Sequence, residues 1–506
     1  MQMARHSQRT VTTLQGVTRL TIKVYRCHNM DCLRFHQATR PEEEGRWALP
    51  HGEFGLDVIA LVGVLRYQEQ RSIPQIYQEL QRRGVQIASR TVTDQLYRYE
   101  ELLALNLADP KRLQERLEQH GQVILALDGL QPDVGHEVLW VLRDCCSGEV
   151  LLARSLLGAT EQDLVPLLEE VAATCQTLQI PIKGVISDGQ HSVRKAVAHA
   201  LPGVPHQLCH FHYLREAAKP IAEADRHAKK ELKKQIRGVR PIERGLEQRS
   251  DEEAEVIRGY CLAVRSALTD DGQPPLDAAG LRLHDRLKAI TSSIARIEEK
   301  KGLPSELAHL KQLLQTGLTA TEALWPPLQQ AYEWLHQAAH LLANEDQHPV
   351  AMLKESYERL LSIMTAEQEK LGELAQAVTH FCKVTASYWN GLFACYQLKD
   401  LPRTNNALEQ YFGSARHMER RATGRKRASP ALVVRGAVRV VAAGASRLLS
   451  ISASQLQVTD VAAWRALRQQ VAYRQESRRR QIRFRRDPDA YLTALEQRLC
   501  IPSLPS

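Results

Sequence analysis

The sequence predicts a multidomain protein of mixed class, α/β in one part and all-α in others. A mixed sheet flanked by helices is interrupted by a large helical insertion and preceded by a helix-turn-helix region. Three observations predict this. Residues 122–213 alternate apolar runs with helical segments. Residues 214–400 show almost no strand signal and are rich in Leu, Ala, Glu, Lys and Gln. Two helical patterns separated by a short turn occupy residues 72–106.

The chain has 506 residues, too many for one ordinary core, so three or four domains are expected. Hydrophobic content of 43% and charged content of 25% are those of a globular protein. No run of eighteen apolar residues marks a membrane span, and the basic start MQMARHSQRT has no apolar stretch behind it to make a secretory signal. Ten scattered cysteines suit a reducing cytoplasm without a disulfide framework. The net charge of +9 is concentrated in RHMERRATGRKR (416–427) and YRQESRRRQIRFRR (473–486). Clustered arginines with few acids point to phosphate contacts, and a solvated helix face accounts for either cluster equally well.

Residues 1–50 read as an irregular N-terminal segment. Cys27, Cys32 and His36 there are candidate Zn²⁺ ligands of a degenerate zinc-binding element, because thiolate and imidazole suit that ion. A fourth ligand would have to be His6 or His28; unliganded thiols in a small N-terminal strand pair fit the same residues. Residues 51–115 form the helix-turn-helix region. Ser72 is a good N-cap, and Ile73, Ile76, Tyr77 and Leu80 share one helix face. Ser89 is read as the next N-cap, with Val92, Leu96, Tyr99 and Leu103 facing the core. Arg90, Thr91, Gln95 and Arg98 then point away from it, toward a major groove, although an ordinary helical bundle gives the same pattern.

Residues 120–213 read strand, strand, strand, helix, strand, helix, strand. Three strands joined by tight turns and followed by helical crossovers give a mixed sheet with helices on its faces. In that order the first and fourth strands can lie side by side and parallel. Asp128 and Asp188 fall at their C-terminal ends, each followed by a glycine that would leave room for a ligand. Asp144 ends another strand at a hairpin tip and reads as a turn residue. Residues 214–400 are the helical insertion, 401–450 return to the sheet domain with a helix from residue 406, and 451–506 form a basic C-terminal tail. Asn406 is read as that helix's cap, Glu409 either as the cap's capping-box partner or as a metal-holding carboxylate, and Leu408, Phe412 and Ala415 as its packing stripe. Glu419 interrupts the stripe, so a bend or end is expected there.

Two neighbouring strand-end carboxylates repel unless a cation sits between them, and hard oxygen ligands suit Mg²⁺ or Mn²⁺. Glu409 is the candidate third ligand of Asp128 and Asp188; two ions about 3.5–4 Å apart then support phosphoryl transfer. Arg416, Arg420, Arg421, Arg425, Lys426 and Arg427 continue from Glu409 and are the candidate phosphate contacts of bound DNA. In PHQLCHFHY, ligands alternating along a strand would face opposite ways, so a four-ligand zinc site is hard to build there.

The stretches SDGQHSVRKAVAHALPGVPHQLCHFHYLREAAKP and RTNNALEQYF resemble the DDE transposases of the Mutator-like type and related bacterial insertion-sequence transposases. The resemblance covers about residues 120–430. It implies an RNase H-like catalytic core, with Asp128, Asp188 and Glu409 as catalytic, metal-binding triad and Cys209 and His212 as accessory active-site residues of a Cys-x-x-His element. It implies two Mg²⁺ or Mn²⁺ ions per site, DNA partners (element terminal inverted repeats and target DNA), and a homodimer or larger assembly on DNA. The setting is then a prokaryotic cytoplasm, at the nucleoid. The expected reaction is cleavage at an element end followed by attack of the freed 3′-OH on target DNA. Two other readings stay open: a domesticated, catalytically silent sequence-specific DNA-binding protein, and an RNase H-like nuclease. Trp325, Trp334 and Trp389 of the insertion are either stacking surfaces for an unpaired base or core.

Overall fold

The computed structural model describes residues 2–33, 35–131, 137–425, 430–448, 451–458 and 460–500. It begins with β1 (Gln2–Thr13) and β2 (Gly16–Arg26), an antiparallel hairpin to which the short β3 (Ala38–Thr39) adds. The expected irregular N-terminal segment is therefore largely strand. Alternation in RLTIKV was the missed signal: Ile22 and Val24 are buried, whereas Arg19, Thr21 and Lys23 are exposed.

Four helices follow: α1 (Leu56–Tyr67), α2 (Ile73–Arg82), α3 (Ser89–Leu107) and α4 (Pro110–Glu118). The Ser72 backbone N–H donates to Gln75 Oε1 at 2.8 Å, half of a capping box that starts α2. Ala88, not Ser89, takes the N-cap position of α3 with extended backbone, so that helix begins one residue earlier than its sequence suggests. Val92, Leu96, Tyr99 and Leu103 are all buried.

The larger sheet contains β4 (Val123–Leu130), β5 (Val138–Asp144), β6 (Val150–Leu156), β7 (Ile182–Ser187) and β8 (His206–Leu208), in the order β6-β5-β4-β7-β8. It is mixed: β4 runs antiparallel to β5 and parallel to β7. The crossover helix α5 (Glu161–Thr177) starts at Thr160, whose Oγ1 accepts from the Asp163 N–H, and α6 (His191–Ala200) follows β7. Val123, Leu125, Leu127, Leu142 and Val185 pack with Leu164, Leu168 and Val193 of those helices. By the two-residue period of a strand, Ile124, Ala126, Asp128, Ile186 and the position of Asp188 belong to the other face.

The chain divides into two compact units, residues 1–204 with 405–506 and residues 205–404. The second unit is helical: α7 (His210–Ala217), α8 (Lys219–Gln235), α9 (Val239–Gly245), α10 (Glu252–Thr269), α11 (Ala279–Lys301), α12 (Ser305–Ala320), α13 (Trp325–Ala343), α14 (Val350–Glu367) and α15 (Ala375–Tyr388). Trp325 and Trp334 are buried in its cores, and Trp389 sits edge-on to Phe393 at 5.0 Å. They are packing residues, not an open stacking platform.

The first unit resumes with α16 (Asn406–Thr423), α17 (Pro430–Leu448), α18 (Val461–Arg486) and α19 (Pro488–Cys500). Met418, Ala442, Ala443, Ile451, Leu456 and Trp464 share one core with α1, α2 and α3. Residues of the segments 51–115, 401–450 and 451–506 thus share a core. The described part of the basic C-terminal tail holds a 26-residue helix whose Trp464 and Val471 are buried.

Candidate active site

The parallel register of β4 and β7 ends at Ala126 opposite Ile186. Two residues further along each strand are Asp128 and Asp188, so the pairing brings them level at one end of the sheet. Asp128 lies within β4 and faces Val141 of β5, and Asp188 directly follows β7. Both are half-buried. Asp128 Oδ1 accepts the Gly129 N–H at 2.7 Å, and Asp188 Oδ1 accepts the Gln190 N–H at 2.9 Å. Both glycines have a structural use. A Cβ on Gly129 would fall 2.9 Å from Val138 Cγ1, so its smallness serves the contact with β5. Gly189 takes φ +83°, which turns the chain toward α6.

Glu409 reaches the same place on α16. Asn405 is the N-cap residue, one position before the expected Asn406. It is buried, and its Nδ2 donates to Leu127 O at 3.4 Å, which ties the helix start to β4. Leu408 and Phe412 are buried and Ala415 is half-buried, as a packed stripe requires. Tyr411 OH donates to Val440 O at 2.6 Å, clamping α16 to α17. Tyr411→Phe is expected to cost about 1–2 kcal/mol, because Val440 O loses its buried donor; urea denaturation of both proteins measures it. The helix neither bends nor ends at Glu419: it runs to Thr423, and Glu419 meets Arg66 and Arg439 at 3.4 Å each.

Burial pushes the Asp128 carboxyl up, the Asp188 carboxylate pushes it further, and Glu409 adds to this against the Gly129 N–H and Arg416; the result is a pKa of about 7. Three acidic side chains from β4, the end of β7 and α16 therefore share one field. Among the described residues, no three His, Cys, Asp or Glu side chains are grouped as around a metal ion. Asp144 is a structural carboxylate: fully buried, it accepts from Ile124 N–H at 2.9 Å and Ser147 N–H at 2.7 Å.

Arg416, Arg420, Arg421 and Arg425 are exposed beyond Glu409, and Lys426 and Arg427 lie outside the described residues. Of the residues expected to face a major groove, Arg90 is exposed and Thr91 and Gln95 are half-buried. Arg98 is taken up within the protein: it pairs with Glu101 at 2.9 Å and lies over the Trp464 ring. Cys209 is the buried N-cap residue of α7 and His212 lies in that helix's first turn, both in the second unit. Beside them, His210 Nε2 sits 2.8 Å from Leu392 O, and burial lowers its pKa to about 4, so it is neutral and donates there. In the N-terminal segment the His36 N–H donates to Cys27 O, and the His36 ring stacks on Phe35.

Comparison with protein-family models gives no match, and comparison with curated proteins gives none either.

Proposed function

We propose that this protein is a DNA transposase of the DDE type with an RNase H-like core, cleaving element ends and joining the freed 3′-OH to target DNA. The observation that carries the reading is the level placement of Asp128 and Asp188 on parallel strands, with Glu409 close enough to perturb Asp128. Carboxylates set together in a half-buried place are costly unless a cation compensates them. The donor chemistry fits a hard divalent cation, and Asp128, Asp188 and Glu409 would hold Mg²⁺ or Mn²⁺. Such ions polarise a phosphoryl oxygen and activate an attacking oxygen. The chain's own contribution is positional. Asn405 and Tyr411 hold α16 against its neighbours, and the exposed arginines after Glu409 track DNA phosphates. Helices α2 and α3, with Arg90 exposed at the start of α3, serve as the helix-turn-helix reader of element ends.

The test is cutting of a plasmid that carries the DNA flanking this gene, with Mg²⁺, by the natural protein and by Asp188→Asn. Cuts at a pair of inverted repeats, lost in the variant while DNA binding persists, are expected. Binding without any cutting by either protein would transfer the reading to a silent DNA-binding protein.

A further inference from the structure

We propose that the second half of α18 is a duplex-DNA-binding helix that lies in the major groove. This deepens the DNA-binding part of the proposed function and rests on it, but not on the carboxylate site.

The first half of α18 is anchored. Trp464 and Val471 are buried, Trp464 Nε1 donates to Glu101 at 3.3 Å, and Arg474 donates from Nε to Val434 O at 3.0 Å. Glu476, Ser477 and Arg478 are still half-buried, and residues 479–486 are all exposed. Residues 476–486 contain six arginines and one glutamate, 6 − 1 = +5. Glu476 is shared among Arg479, Arg480 and Arg483 at 3.7, 3.5 and 3.9 Å, too long and too exposed to neutralise them.

The arrangement of the charge selects the partner. At about 100° per residue, the exposed Arg479, Arg480, Arg483 and Arg486 spread over roughly 120° of the helix and Arg485 falls about 150° from their centre, so positive charge reaches both sides. A helix that is basic along one stripe suits a flat acidic surface or lipid headgroups. A helix that is basic on opposite sides suits a cleft with negative charge on both walls. The major groove of duplex DNA, about 12 Å wide and walled by phosphates, admits one α-helix. The fully exposed segment, residues 479–486, is eight residues, about 12 Å at 1.5 Å per residue. Ile482, 51% exposed among these arginines, supplies an apolar contact of the kind thymine methyl groups make.

The experiment uses the full chain, a labelled random-sequence duplex and no divalent cation, with affinity measured across a salt series. A variant carrying Arg479→Gln, Arg480→Gln, Arg483→Gln, Arg485→Gln and Arg486→Gln is expected to bind at least about 100-fold more weakly. Its log-affinity against log-salt slope should shrink by about 4–5, one counterion-release increment per lost phosphate contact. The matching five-lysine variant should keep the slope, and all three proteins should melt together because these side chains are exposed. An unchanged slope in the glutamine variant, with duplex binding intact, overturns the assignment of α18 and leaves the transposase reading standing. So does tighter binding of single strands than of duplex, or a loss of self-association in place of DNA affinity. Failure of the natural chain to bind any duplex defeats the DNA reading and this inference together.

Discussion

Glu100→Ala is expected to destabilise the first unit by about 3–5 kcal/mol, the range for removing one partner from a buried ionic network. Glu100 is fully buried on α3. Its carboxylate accepts from Tyr67 OH at 2.7 Å, Arg435 Nε at 2.9 Å and Arg439 Nε at 3.0 Å. Glu101 shares Arg435 at 3.1 Å, and Glu419 shares Arg439 and Arg66. Three buried or nearly buried carboxylates thus balance Arg66, Arg435 and Arg439. Removing Glu100 leaves the arginines in excess where water cannot reach them. Burial alone would raise its pKa, but Arg439, Arg435 and the Tyr67 hydroxyl outweigh burial and hold it below the ordinary 4.5. The sign of the pH effect follows: this stability is fully present above 4.5 and is lost as pH falls through the lower folded value. Urea denaturation at pH 7 reads the loss directly. A change under about 1 kcal/mol would mean that water enters the cluster.

That network shows why part of the fold was legible in the sequence and part was not. The apolar runs ending near Asp128 and Asp188, and the helix bearing Glu409, are local patterns, and local patterns survive folding. Parallel pairing of the first and fourth strands is permitted by the chain order, and β4 and β7 do pair so. Glu100 and Arg435 stand 335 residues apart, and each looks on its own helix like a solvated charge. Only their meeting makes them core. Glu419 misled for the same reason: a carboxylate on an apolar stripe implies a break unless a distant arginine is waiting for it. The cap of α16 was misplaced by one residue because Asn405 and Asn406 are equivalent as sequence. What separates them is the reach of the Asn405 side chain to Leu127 O on β4, a tertiary contact. The early hairpin agrees with the strand-pair alternative for this segment, and the alternation that makes it is local, in RLTIKV.

Asp128→Asn is expected to stabilise the cation-free protein at pH 8 by about 2–4 kcal/mol, a pKa displacement of roughly three units at about 1.4 kcal/mol each, discounted for partial exposure. The unfolded chain releases this proton near the ordinary 3.8, whereas the folded chain keeps it to about 7. Below 3.8 both states hold the proton and its contribution is whole. As pH rises the unfolded state alone is deprotonated, so stability falls across the window and levels off above about 7. Asparagine has no proton to lose there, so the variant's stability profile should be flat where the natural protein's declines. Thermal melts at pH 4, 6 and 8 without divalent cations test this, and a parallel decline in both proteins would refute it. Added Mg²⁺ at pH 8 should raise the melting temperature of the natural protein and scarcely move Asp128→Asn, because an ion bound only by the folded state stabilises in proportion to its affinity. The same substitution that strengthens the fold should therefore abolish cutting. A residue whose removal improves stability and eliminates activity is maintained at a cost, and the cost here lies first in burying the Asp128 carboxylate and then in its repulsion by Asp188 and Glu409, which a cation would relieve.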